Sequence, residues 1–86
     1  MIRYRRAEIP SQILKRTVNV AHKNSSVSLE TGFWYALKEI AAQEGIPVST
    51  LITRINADRQ HANLSSALRL FVLEHFRRLA EEKAKL

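Results

Sequence analysis

Asn24, Ser26 and Ser28 alternate with Ser25, Val27 and Leu29 along an uncharged stretch of six residues. In an extended chain this period places Val27 and Leu29 on one face and the three polar side chains on the other. Short amide and hydroxyl side chains carry donors and acceptors within reach of base edges, and a two-stranded ribbon fits the major groove of duplex DNA. Asn24, Ser26 and Ser28 are therefore the candidate base-contacting residues. Catalysis has little to stand on. The chain holds no cysteine, no glycine-rich phosphate loop, no nucleophile elbow and no HExxH pair. His22, His61 and His75 lack metal-ligand spacing. Glu81 and Lys85 stand at i and i+4, as on a solvated helix face. The chain reads as a binding protein without a metal or cofactor.

A strand of this kind must be paired, because its outward N–H and C=O groups are otherwise left open. A twofold axis supplies a partner at least cost. Two copies of 24–29 pair antiparallel, helices cover the apolar face, and the polar face looks out. The expected form is an intertwined homodimer with a two-stranded antiparallel intermolecular ribbon. Upstream, Lys15–His22 alternates again and predicts a first extended segment. It either lengthens the ribbon or lies along it, with a kink near Ala21–Lys23.

Charge supports a polyanionic partner. The net charge is +6, and residues 1–30 carry six basic against two acidic residues. Arg16 and Lys23 flank the strand, and Arg3, Arg5 and Arg6 lie in a basic arm over 1–14, ahead of a dimerisation and DNA-binding domain at 15–86. These five are candidate phosphate contacts. No apolar segment follows the arginines as a secretory signal would require, and the longest apolar stretch, 64–79, is broken by Arg69, Glu74 and His75. A cytoplasmic location is expected.

Three helices are predicted after the strand. Phe33, Trp34, Leu37, Ile40 and Ala41 follow helical spacing over 31–44, with Thr31 as N-cap and Gly45 as the left-handed stop. Pro47 begins a second helix to Ala57, faced by Val48, Leu51, Ile52 and Ile55. Asn63 caps a third, over 64–84, with Leu68, Phe71, Val72, His75 and Phe76 on one side. Leu70 and Leu73 fall off that stripe. A helix apolar on so much of its surface predicts burial on more than one side, hence a dimer core or a protein partner.

The run Ser25-Ser26-Val27-Ser28-Leu29-Glu30, followed by Phe33-Trp34, Ala36-Leu37, Ile40-Ala41 and Glu44-Gly45, resembles the ribbon-helix-helix superfamily of bacterial DNA-binding proteins. It is most similar to a branch with a third helix, which carries a stretch like Asn63-Leu64-Ser65-Ser66-Ala67-Leu68-Arg69. The resemblance implies a mainly α fold with an extra C-terminal helix, and a ribbon that enters the major groove with Asn24, Ser26 and Ser28 outward. It also implies phosphate anchoring at the start of the second helix, on Val48, Ser49 and Thr50, where free N–H groups and the positive dipole end suit an anion. Two departures stand out: the outward strand positions hold no Arg or Lys, and Pro47 sits where a Ser or Thr cap is common. A transcriptional repressor or autorepressor acting on double-stranded DNA is the leading reading. The alternative is a dimeric interaction module that has lost DNA and binds protein through its third helix.

Overall fold

The computed structural model describes residues 11–59 and 63–85. Its elements run β1 (Ile13–Val20), β2 (Lys23–Glu30), α1 (Thr31–Glu44), α2 (Val48–Asp58) and α3 (Leu64–Ala84). The chain is mainly helical, with a two-stranded antiparallel ribbon in front of three helices.

The ribbon corrects one expectation. The strand bearing Asn24, Ser26 and Ser28 finds its partner inside its own chain: β1 and β2 pair in register from Ile13 opposite Glu30 to Val20 opposite Lys23. A two-residue turn makes this possible. Ala21 and His22 both adopt positive φ, 52° and 68°. That is the handedness of a type I′ turn, whose twist matches that of paired strands. Neither residue is the Asn or Gly that normally announces such a turn, so the sequence carried no hairpin signal. The first extended segment is therefore half of the ribbon. It starts at Ile13 rather than Lys15.

The alternation then decides what is buried. Val20 of β1 and Val27 and Leu29 of β2 point onto the helices and are buried. They meet Trp34, Leu37, Ile40 and Ala41 of α1, Leu51, Ile52 and Ile55 of α2, and Leu68 and Val72 of α3. The hairpin is thus held by one core shared with all three helices, which a lone ribbon would lack.

The helix ends follow local chemistry, with two corrections. Thr31 is the first helical residue of α1, not its cap; Glu30 holds that place without a side-chain capping bond. Thr31 instead donates twice to the Gln12 carbonyl, from its backbone N–H at 2.8 Å and from Oγ1 at 2.9 Å. An orphan first-turn donor and the lead-in to β1 are satisfied together. Pro47 is the N-cap of α2 rather than its first turn, with extended φ and ψ of −63° and 148°. Its carbonyl accepts from the N–H groups of Thr50 and Leu51. Gly45 ends α1 in the left-handed conformation, φ 69°, as its position predicted. Asn63 caps α3 through its side-chain oxygen, which accepts from the Ser66 N–H at 2.9 Å.

Candidate nucleic-acid interface

Residues directly opposite each other in an antiparallel pair share a face. Ser28 stands opposite Lys15, Ser26 opposite Thr17, and Asn24 opposite Asn19. The ribbon's outer surface is therefore a double row, Asn24, Ser26 and Ser28 from β2 with Asn19, Thr17 and Lys15 from β1, bounded at its open end by Glu30 opposite the exposed Ile13. Five of the six are exposed, and Ser28 is half-buried. The sequence reading placed the first row correctly on one face and missed the second. The alternation over Lys15–Val20 predicts an extended segment but not its partner, so the sequence alone does not set Lys15, Thr17 and Asn19 on this face.

Arg16 does not join this row. It stands opposite Val27, and its guanidinium lies 5.5 Å from the centre of the Trp34 ring. Trp34 itself is buried and donates its indole N–H to the Leu14 carbonyl at 3.2 Å. One tryptophan so braces β1 by a hydrogen bond and a cation–π contact. Lys23 is exposed beside the turn, next to His22. Arg3, Arg5, Arg6 and His61 lie outside the described residues.

The first turn of α2 comes up against the turn end of the ribbon. Asn19, Ser49, Thr50, Thr53 and Arg54 line one open concavity. Thr50 is exposed, Val48 and Ser49 are half-buried, and Thr53 donates its hydroxyl to the Ser49 carbonyl at 2.9 Å. The N–H groups of Val48 and Ser49 stand in the first turn, where no helical acceptor exists. Arg54 pairs with Glu44 at 3.2 Å. The concavity brings Ser49 and Thr50 beside Asn19, at the flank of the ribbon, and Val48 is not among its lining residues.

At the other end of β2, Arg69 Nε donates to Glu30 Oε1 at 2.9 Å. The Glu30 carboxyl is held below the ordinary carboxylate range, by its own backbone N–H first and by Arg69 second.

A wider groove runs between α2 and α3, lined by Leu51, Ile55, Leu70, Phe71, Leu73 and His75 among others. Leu70 and Leu73 are 59% and 53% exposed, so α3 keeps an apolar edge in solvent within one chain. His75 packs between Phe71 and Phe76, with ring centroids 6.4 Å and 5.1 Å away. Its buried Nε2 has no hydrogen-bond partner among the described residues. Among the same residues, no group of three His, Cys, Asp or Glu is placed to hold a metal ion. No described helix is long and apolar enough to cross a membrane.

A ribbon set on three helices, with a polar double row outward, defines a class of protein, and the comparisons agree. The chain belongs to the ribbon-helix-helix domain family, whose model matches residues 13–76. That family is a regulatory DNA-binding fold. The matched span opens on the first residue of β1, so the hairpin's first strand is part of the domain. Among solved structures, the chain is similar to an uncharacterized protein from Bordetella pertussis Tohama I, at 32% identity and a TM-score of 0.74. The alignment covers 86% of this chain and 63% of that one, so this chain spans under two thirds of its neighbour's length. No curated protein matches the chain.

Proposed function

We propose that this chain binds duplex DNA by laying its ribbon in the major groove, and that it acts as a transcriptional repressor or autorepressor in the bacterial cytoplasm. The observation that carries this reading is the outer row Asn24, Ser26 and Ser28: small, polar, free of acids, and turned away from the core. Val48, Ser49 and Thr50 then hold a phosphate beside the groove. Arg16 over the Trp34 ring, Lys23 beside the turn, and Arg3, Arg5 and Arg6 ahead of the ribbon add sequence-independent attraction.

Homodimerisation belongs to the proposal, with its seam moved. Since the ribbon is closed within one chain, the apolar edge to be covered is Leu70 and Leu73 on α3. The same edge favours the second reading, a protein-binding module without DNA. Binding to duplex DNA at rising salt separates the two. A DNA-binding protein loses affinity steeply with salt, by about −0.9 in log–log slope per phosphate neutralised. Replacing Asn24, Ser26 and Ser28 together by Ala should erase preference among sites while weak general binding persists. Equal footprints for the triple variant and the parent would remove the ribbon from readout.

A further inference from the structure

We infer that Arg16 is an oriented phosphate clamp at the edge of the ribbon, and that Trp34 is the residue that positions it. The inference rests on the DNA-binding reading above and deepens it, from general attraction to a fixed contact on one wall of the groove. Its basis is an exception in the period of β1. Leu14, Val18 and Val20 take inward positions on that strand, and Arg16 stands among them, opposite the buried Val27. An arginine in such a place would ordinarily bury a cation. Arg16 is instead exposed, with its guanidinium 5.5 Å from the centre of the Trp34 ring.

Packing does not ask for this cation. An aliphatic residue would continue the apolar face, and Trp34 already braces β1 through its bond to the Leu14 carbonyl at 3.2 Å. That bond also holds the indole in place, so the platform beneath the guanidinium is fixed. Among the described residues no carboxylate pairs with Arg16, whereas Arg54, Arg69 and Arg78 each hold one. A guanidinium stacked on one face keeps its N–H edge for an acceptor, and its planar fork matches a phosphate. A ribbon seated in the major groove has phosphates along its flanks. The start of α2 lies on the same flank: α2 packs on β1, and Asn19 lines the concavity with Ser49 and Thr50. Three positions separate Arg16 from Asn19, about 10 Å along a strand. The two anchors therefore grip one DNA strand at two phosphates, one near the turn and one toward the middle of the ribbon.

Neutral methylphosphonate links, placed one at a time in a duplex that the full chain binds, test this. The parent should be sensitive at separate phosphates of one strand, and Arg16→Gln should lose one of them. The salt slope of Arg16→Gln should be shallower by about 0.9 per chain, with the order of preferred duplexes unchanged. Trp34 is the only tryptophan in the sequence, so a fluorinated analogue supplied during expression enters at this one site. Fluorine keeps the ring's shape and its N–H but weakens the π face. Binding should fall roughly two- to fivefold, with the unfolding midpoint near the parent's. Unchanged affinity of the fluorinated chain would remove Trp34 from the role. An Arg16→Gln chain with the parent's slope and the same sensitive phosphates would leave Arg16 a brace of β1, and a changed order of duplexes would make it a base reader. Either result overturns the inference while DNA binding stands. A chain that binds no duplex at low salt would overturn both.

Discussion

Arg69 reaches back 39 positions to donate its Nε proton to Glu30 Oε1 at 2.9 Å, joining the second turn of α3 to the point where β2 becomes α1. Both side chains are about one-third exposed. This contact explains the Asn63–Arg69 stretch physically. Asn63 caps α3 on Ser66, and the turns that follow bring Leu68 into the core and Arg69 onto the ribbon's carboxylate. The third helix is thereby tied to the ribbon by a charge pair as well as by packing.

The Glu30 carboxyl titrates below its ordinary value, so its ionised form favours the folded chain. A lowered folded value means stability that is fully present above the unfolded carboxylate pKa and lost as pH falls through the folded one. Glu30→Gln should unfold at a lower temperature than the parent near neutral pH, and the two should converge as acid protonates Glu30. The effect is modest, because the pair is partly solvated. Unfolding midpoints recorded from neutral to acid pH check it, and a constant gap across the range would assign the loss to something other than ionisation.

The hairpin turn supplies a second expectation. Ala21 and His22 hold positive φ without the freedom of glycine, a conformation that costs an ordinary residue roughly 1 kcal/mol. Ala21→Asn with His22→Gly places the favoured I′ pair in the same geometry. Stability should rise by about 1 kcal/mol, which is roughly 4–8 °C in midpoint for a domain of this size. Calorimetry decides, and a lower midpoint would mean that the turn has another geometry.

These residues also mark how far the sequence could be read. The helices were legible because their signals are local. The spacing of Trp34, Leu37, Ile40 and Ala41, the stop at Gly45 and the cap at Asn63 each lie within a few positions of what they control. The outward row Asn24, Ser26 and Ser28 was legible for the same reason. The partner strand was not, because pairing depends on a turn whose residues, Ala21 and His22, are uncommon in its conformation. From that one omission came both the intermolecular ribbon and the missing row of Lys15, Thr17 and Asn19. The role of Thr31 escaped for a different reason. Its acceptor, the Gln12 carbonyl, is 19 positions away and becomes a neighbour only once the hairpin closes.

Leu70 and Leu73 lead to a prediction about assembly. If α3 forms the seam of a homodimer, the unfolding midpoint should rise with protein concentration. Leu70→Glu with Leu73→Glu should abolish that dependence and leave a folded monomer, since neither side chain belongs to the single-chain core. Val27→Asp should behave otherwise: Val27 is 1% exposed, and an unpaired carboxylate there should unfold the chain at any concentration. Sedimentation of the parent as a monomer at high concentration would dismiss the α3 seam.

The start of α2 gives the last expectation, and it separates affinity from specificity. Ser49 lies in the first turn beside the exposed Thr50, in the concavity shared with Asn19. Ser49→Glu introduces a negative charge where a DNA phosphate is proposed to sit. Affinity should fall for every duplex alike, because a phosphate contact carries no sequence information. The loss should be greatest at low salt, where screening is weakest. Stability should hold or rise by roughly a few tenths of a kcal/mol, because an acid near a helix N-terminus complements the dipole. Titration of the variant and the parent against several duplexes at two salt concentrations reads all of this at once. Parallel loss across sequences supports phosphate anchoring, selective loss would make Ser49 a base reader, and unchanged affinity would place the anchor elsewhere on the chain.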